Sequence, residues 1–274
     1  MNCPNCGSQI TRNDRFCPVC GADLTVLQNR SGSNASASAI EKTSNTGFLI
    51  GAAARAARLK AAYEEGDLID TRTYNAIMTG VVLWGVLVNY LLCRFVGNVY
   101  EYIPPIPFLI GYMVLAFAGI FIAGRSQKPL ISFLGYNMVV VPFGLVISTM
   151  VEVYGGYDSA IVTYAFLYTM LITVGMAAAS IAFPNFFAKI GGALLGVLIG
   201  VIICEVLLLI LGIEQSAVDW AVAALFSLYI GYDIHRSQQF AKTVDNAVDC
   251  ALDIYLDVAN LFIRLLEILG KKRD

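Results

Sequence analysis

Charged side chains are scarce in this sequence, and their scarcity excludes an ordinary soluble domain. Asp, Glu, Lys and Arg make up 14% of the 274 residues, whereas 58% are hydrophobic and the mean hydropathy is +0.69. Soluble domains contain about 25% charged residues. Long apolar runs are separated by short polar joints, and a helix needs roughly 20 apolar residues to cross a bilayer. The composition therefore predicts an all-α, multi-pass integral membrane protein surrounded by lipid.

Seven membrane-spanning helices are predicted, the seventh being marginal because it contains several acids. No cleavable signal peptide is expected before them, because the N-terminal residues are polar and rich in cysteine. The predicted spans cover residues 74–94, 106–124, 130–151, 159–183, 190–212, 217–237 and 247–269.

Lysine and arginine are missing from two joints, 152–158 and 213–219, which indicates that these joints face outward. The alternate joints do carry basic residues, so the N-terminus is predicted to be cytoplasmic. The basic tail conflicts with seven full spans, so the last helix either spans the membrane or re-enters it and returns. The inner basic residues are Arg125, Lys128, Lys189, Arg236 and Lys242, and those of the tail are Lys271, Lys272 and Arg273.

The N-terminal stretch "CPNCGSQITRNDRFCPVCG" predicts a zinc site. Cys3, Cys6, Cys17 and Cys20 form two CxxC pairs, and four thiolates complete the tetrahedral shell of a structural Zn²⁺. Some two dozen residues build little core, so metal binding would supply most of the folding free energy. The stretch resembles the short zinc ribbons that head many prokaryotic membrane proteins, which favours a prokaryotic plasma membrane.

The ribbon lacks a basic patch, because neighbouring acids offset its arginines, and this argues against nucleic-acid binding. A Ser/Asn-rich stretch follows and is typical of a flexible linker. The next segment is predicted to be helical, either amphipathic on the membrane surface or a plain surface helix. The predicted domains are a zinc ribbon (1–24), a linker (25–47), a surface helix (48–73) and a seven-helix transmembrane domain (74–270).

The final helix carries a stripe of acids in "DCALDIYLDVANLF". Asp249, Asp253 and Asp257 stand four residues apart and therefore share one helix face. Asp233 precedes Asp257 by 24 residues, with Asp245 midway between them. If the chain turns at Asp245, the Asp233 and Asp257 carboxyls lie at matching depth, roughly 18 Å from the turn. Asp249 is expected at the water-exposed end of this acidic track.

Two carboxylates in one low-dielectric site cannot both ionise cheaply, so one proton is expected to be held between Asp233 and Asp257. When charged, such a pair repels or binds a hard cation such as Ca²⁺. The alternative is a purely structural hydrogen-bond clamp between helices. Glu205 is a mid-span acid with no evident partner, and His235 is interpreted as an interfacial residue.

The last two helices resemble those of the Bax inhibitor-1 family, in "SLYIGYD" and "ALDIYLDVANLFIRLLEILG". The segment "YAFLYTMLITVGMAAASIAFPNFFAKIGGALLGVLIG" is similar to the fourth and fifth helices of that family. The resemblance implies a seven-helix bundle with the last helix central and a pH-sensitive Ca²⁺ leak. It assigns the gate to an aspartate pair that matches Asp233 and Asp257. It also implies an arginine bridging to that pair, for which Arg125 is the nearest match.

The acidic helix pair is compatible with three different functions. A cation leak is favoured, and it includes Asp253 in the pathway. A non-conducting membrane regulator, whose ribbon recruits a protein partner, is the alternative. An intramembrane aspartyl protease is disfavoured because the Gly-x-Gly-Asp and Pro-Ala-Leu motifs are missing, so no enzymatic activity is expected.

Overall fold

The computed structural model describes residues 68–212 and 216–271, so the ribbon, the linker and most of the 48–73 segment lie outside the described residues. Within the described ranges the chain forms seven α-helices and no strand, which confirms the predicted fold class. A short 3₁₀ turn, Val99–Glu101, follows the first helix. The helices are α1 Thr71–Phe95, α2 Pro105–Arg125, α3 Pro129–Val153, α4 Ala160–Ala182, α5 Pro184–Leu211, α6 Ser216–Ser237 and α7 Val244–Lys271.

Local sequence explains where these helices begin and end. Three of them start with a proline, whose missing N–H costs nothing in the first helical turn. α1 starts after Asp70, whose carboxylate accepts a hydrogen bond from the Thr73 N–H at 3.0 Å and caps the helix. α5 ends at Gly212, which adopts the left-handed conformation (φ +66°) that glycine tolerates best.

Helix α7 forms the core of the bundle. It has extensive contacts with α1, α3, α4 and α6, whereas α2 packs on α3 and α5 packs mainly on α6. Small residues such as Ala247 and Ala251 are completely buried and allow neighbouring helices to approach. The expectation of a central last helix is therefore confirmed, with four helices as its main direct neighbours rather than all six.

Five helices, α1 to α5, are long and apolar enough to cross a membrane. In α5 only Phe187 and Leu194 are buried, so most of its apolar side chains are available to lipid. Helices α6 and α7 coincide with the last two predicted spans but do not belong to this apolar set within the described residues. The burial of α7 shows that neighbouring helices, rather than apolar composition, shield its acids.

Helix α7 is one uninterrupted helix of 28 residues, about 42 Å long. At its end the Lys271 ammonium donates to Asp219 at 2.7 Å, near the start of α6. Gly270 packs against the ring of Tyr154, at the end of α3. The alternative in which the last helix re-enters and returns is therefore wrong. Residue 271 lies at the same end of the bundle as the 152–158 joint.

Candidate functional site

Two carboxyl groups meet between α6 and α7. Asp257 lies on α7, is 7% exposed, and is hydrogen bonded to Asp233 on α6. The Asp233 side chain is also largely buried, with 12% exposed. A hydrogen bond between two carboxyls needs a proton on one of them. Asp257 Oδ2 is buried and has no hydrogen-bond partner within the described part of the chain.

The hairpin that brings these groups together turns earlier than expected. α6 ends at Ser237 and the joint covers residues 238–243, so the predicted turn at Asp245 is wrong. The Tyr74 hydroxyl contacts both the Ser237 carbonyl oxygen at 3.1 Å and Cys250 Sγ at 3.3 Å. The end of α6 is thus level with the second turn of α7. The joint therefore runs alongside the first turns of α7. This offset between the end of α6 and the start of α7 brings Asp233 level with Asp257.

A second contact confirms this register. Fourteen residues separate Asp219 from Asp233 on α6, and fourteen separate Asp257 from Lys271 on α7. Each interval corresponds to about 21 Å of helix. Because Lys271 reaches Asp219 at one end of the interval, two antiparallel helices of equal rise bring Asp233 and Asp257 together at the other.

Charged and polar residues of α6 and α7 surround the pair. Asp253 and Tyr229 both lie within electrostatic range of Asp257. A cation adjoins the pair as well, because the Arg236 guanidinium lies 3.9 Å from Asp233. Arg125, the family-based candidate, is exposed on α2, and its guanidinium stacks 4.2 Å from the Phe121 ring centroid.

Close packing of α5 supports the same region. A Cβ added to Gly191 would lie about 2.5 Å from the ring of Tyr232, the neighbour of Asp233. Only glycine therefore lets α5 approach α6 at this level.

The rest of the acidic stripe is buried as well. Asp245 accepts a hydrogen bond of 2.6 Å from the Ser132 hydroxyl on α3. Asp249 is only 7% exposed, so its expected position in open water is wrong. Asp253 is half-buried. Because α3 packs against this face of α7, the acidic track is covered.

A lysine side chain stabilises the joint at residues 238–243, at that end of the bundle. Lys242 donates to the Gln238 carbonyl at 2.8 Å and lies 4.5 Å from the Tyr74 ring centroid. Burial lowers the pKa of Lys242 below its usual range. The ammonium is held by carbonyl oxygens and an aromatic face.

A second charged site, at the other end of α7, was missed in the sequence. Arg264 forms ion pairs with Glu205 on α5, with Asp219 on α6 at 3.2 Å and with Glu267 at 3.0 Å. Glu205 therefore has a partner, contrary to the expectation. The signal was available, because Arg264 and Glu267 lie within a predicted span, where charges require partners. We call Glu205, Asp219, Arg264, Glu267 and Lys271 the distal charge cluster.

The bundle and its buried carboxyls define a polytopic helical membrane protein with an acidic interior. Residues 68–274 match the sequence profile of the family described as "Inhibitor of apoptosis-promoting Bax1", and residues 2–24 match a zinc-ribbon domain. The first match covers most of the chain, so the protein belongs to the Bax inhibitor-1 family and carries an N-terminal zinc ribbon.

Similar proteins occur in two strains of Helicobacter pylori, and each is described as an uncharacterized protein. Both are 37% identical over 89 residues, which is 31% of this chain and 37% of theirs. The chain thus spans little more than a third of the length of these relatives. Their likeness adds no activity to the family assignment.

Proposed function

We propose that this protein is a pH-sensitive cation leak that carries Ca²⁺ and is gated by Asp233 and Asp257. The main support for this proposal is the hydrogen-bonded contact between these two buried carboxyls on different helices. Family membership supports the proposal, because the resemblance to that family implies a gate at these same two aspartates. The ion is the transported substrate, and carboxylate oxygens are the ligands that hard cations prefer.

The proton shared by the pair controls the contact between α6 and α7. With one proton, the carboxyls hydrogen bond and hold α6 and α7 together, which corresponds to the proposed closed state. Without it, two negative charges face each other where the dielectric is low, and they either separate or bind a cation. Arg236, 3.9 Å from Asp233, provides the counter-charge during this exchange. We therefore assign to Arg236 the bridging part that the resemblance assigned to Arg125.

Asp253 continues the pathway from the pair toward the 238–243 joint. It lies one turn of α7 from Asp257 and acts on it electrostatically. At the other end, the ion pairs of the distal charge cluster join α5, α6 and α7. Opening thus requires α7 to move relative to α3 and α6.

Ca²⁺ uptake by proteoliposomes, measured across a range of pH, tests the gate. Wild-type protein should show an uptake rate that changes with pH, and both Asp233→Asn and Asp257→Asn should abolish that change. Asparagine keeps the size and hydrogen bonding of the carboxyl but cannot titrate. Asp158→Asn, in an exposed joint, is the matched control and should retain the wild-type profile.

Two outcomes contradict the proposal. An unchanged pH profile in the Asp233 and Asp257 variants would show that the pair does not gate. Absence of uptake by well-folded wild-type protein would favour the non-conducting regulator, in which the same carboxyls form a structural clamp and the ribbon recruits a protein partner.

The ribbon is proposed to bind one Zn²⁺ through Cys3, Cys6, Cys17 and Cys20, which lie outside the described residues. Two CxxC pairs supply a complete tetrahedral thiolate shell. The matched family domain over residues 2–24 supports this ligand set. The N-terminus is proposed to be cytoplasmic, in a prokaryotic plasma membrane, where thiols stay reduced. The orientation can be tested with a reporter that is fused to the N-terminus and works only outside the membrane. Activity of this reporter would contradict the orientation.

A further inference from the structure

A cleft of about 320 Å³ lies between α1, α3, α4 and α7, apart from the aspartate pair. Its volume is within the roughly 300–1,000 Å³ typical of ligand pockets. Tyr90 on α1 and Phe166 on α4 line the cleft and are themselves exposed. Since the described structure shows no extensive contact between α1 and α4, the cleft opens sideways between these helices, toward lipid.

The interior of the cleft is apolar. Its lining includes Val86, Ile147, Val162, Val258 and Phe262. Two polar groups on its wall have partners within the protein. The Tyr255 hydroxyl donates to Asn89 Oδ1 at 3.0 Å, and the Thr169 hydroxyl donates to the Ala165 carbonyl at 2.7 Å. An occupant therefore needs no hydrogen bonds inside the cleft, which fits a hydrocarbon chain.

The mouth of the cleft carries both signs of charge. The exposed Arg94 guanidinium lies 5.2 Å from the ring centroid of Tyr157, which lines the cleft. The Tyr157 hydroxyl is hydrogen bonded to Asp158, and this bond raises the pKa of the tyrosine. Glu152 lies beside Gly97, at the end of α1. One cation and two carboxylates thus lie near the cleft at this end of the bundle.

We propose that the cleft binds one acyl chain of phosphatidylethanolamine from the surrounding bilayer. The chain fills the apolar interior, the phosphate pairs with Arg94, and the ammonium pairs with Asp158 and Glu152. An anionic headgroup would satisfy Arg94 but face two carboxylates. A choline headgroup has no N–H to donate to them. This site is independent of the cation gate.

Photolabelling tests the site directly. The full-length protein is reconstituted in bilayers containing phosphatidylethanolamine with a diazirine on one acyl chain, and the labelled peptides are mapped. Labelling should concentrate in residues 162–170 and 255–262. Val86→Trp fills the cleft and should reduce this labelling several-fold. Leu87→Trp, the adjacent exposed residue outside the cleft, is the matched control and should label like wild type.

Competition with unlabelled lipids tests the headgroup in the wild-type protein. Phosphatidylethanolamine should displace the probe several-fold better than phosphatidylglycerol or phosphatidylcholine. Arg94→Gln should weaken displacement by phosphatidylethanolamine, and Asp158→Asn should improve displacement by phosphatidylglycerol. Equal competition by all three lipids, or equal loss of labelling in the Val86 and Leu87 variants, would overturn the proposal. The wild-type competition decides the question even if Val86→Trp fails to fold.

Discussion

Replacing Arg264 with leucine should destabilise the bundle, because this single guanidinium neutralises carboxylates on three helices. It pairs with Glu205 on α5, Asp219 on α6 and Glu267 on α7. In the variant Glu205 and Glu267 lose their cation within a largely apolar environment, while Asp219 keeps Lys271.

The expected loss follows from the burial of these groups. Removing one partner of a buried ion pair costs roughly 3–5 kcal/mol, because the remaining charge is left uncompensated. The Arg264 and Glu205 side chains each keep 21% of their surface exposed, which favours the lower end of that range. We therefore expect a loss of about 3 kcal/mol in the free energy of unfolding.

Equilibrium unfolding in mixed detergent micelles, followed by tryptophan fluorescence, measures this loss. The double variant Arg264→Leu/Glu205→Leu should recover about 2 kcal/mol, because an apolar pair replaces the ionic one without leaving Glu205 charged. Lys271→Met is the control. Its side chain is 45% exposed, so its removal should cost at most about 1 kcal/mol. The reasoning would be refuted if Arg264→Leu lost less unfolding free energy than Lys271→Met. It would also be refuted if the double variant recovered none of the loss.

Three further predictions concern packing and metal. Gly191→Ala should cost about 1–3 kcal/mol and alter the pH dependence of uptake by displacing Tyr232, whereas Gly192→Ala, with open space around it, should do neither; equal unfolding curves would contradict this. Tyr74→Phe should cost about 1 kcal/mol in the unfolding assay through its lost hydroxyl contacts; no loss would contradict it. Changing the four ribbon cysteines to serine should remove one zinc per chain in metal analysis, and retained stoichiometric zinc would exclude those ligands.

The sequence by itself determined the helices and the identity of the buried pair. Apolar runs of about 20 residues specify membrane-spanning helices, because backbone N–H and C=O groups without hydrogen bonds are too costly in lipid. Acids are rare in such runs, so Asp233 and Asp257 stood out without any knowledge of packing. Helical spacing also placed Asp253 on the face of Asp257. These inferences are local, and they depend only on composition and on residues within a few turns.

Only the tertiary structure decided which charges meet. The joint at residues 238–243 sets the offset between α6 and α7, and no local pattern encodes that offset. Packing of the helices brought Arg264 to Glu205 and buried Asp249 against its neighbours. Each outcome depends on the depth and rotation of two separate helices around α7. A shift of one residue rotates a side chain by about 100° around its helix, so contacts between helices are fixed only when the whole bundle packs.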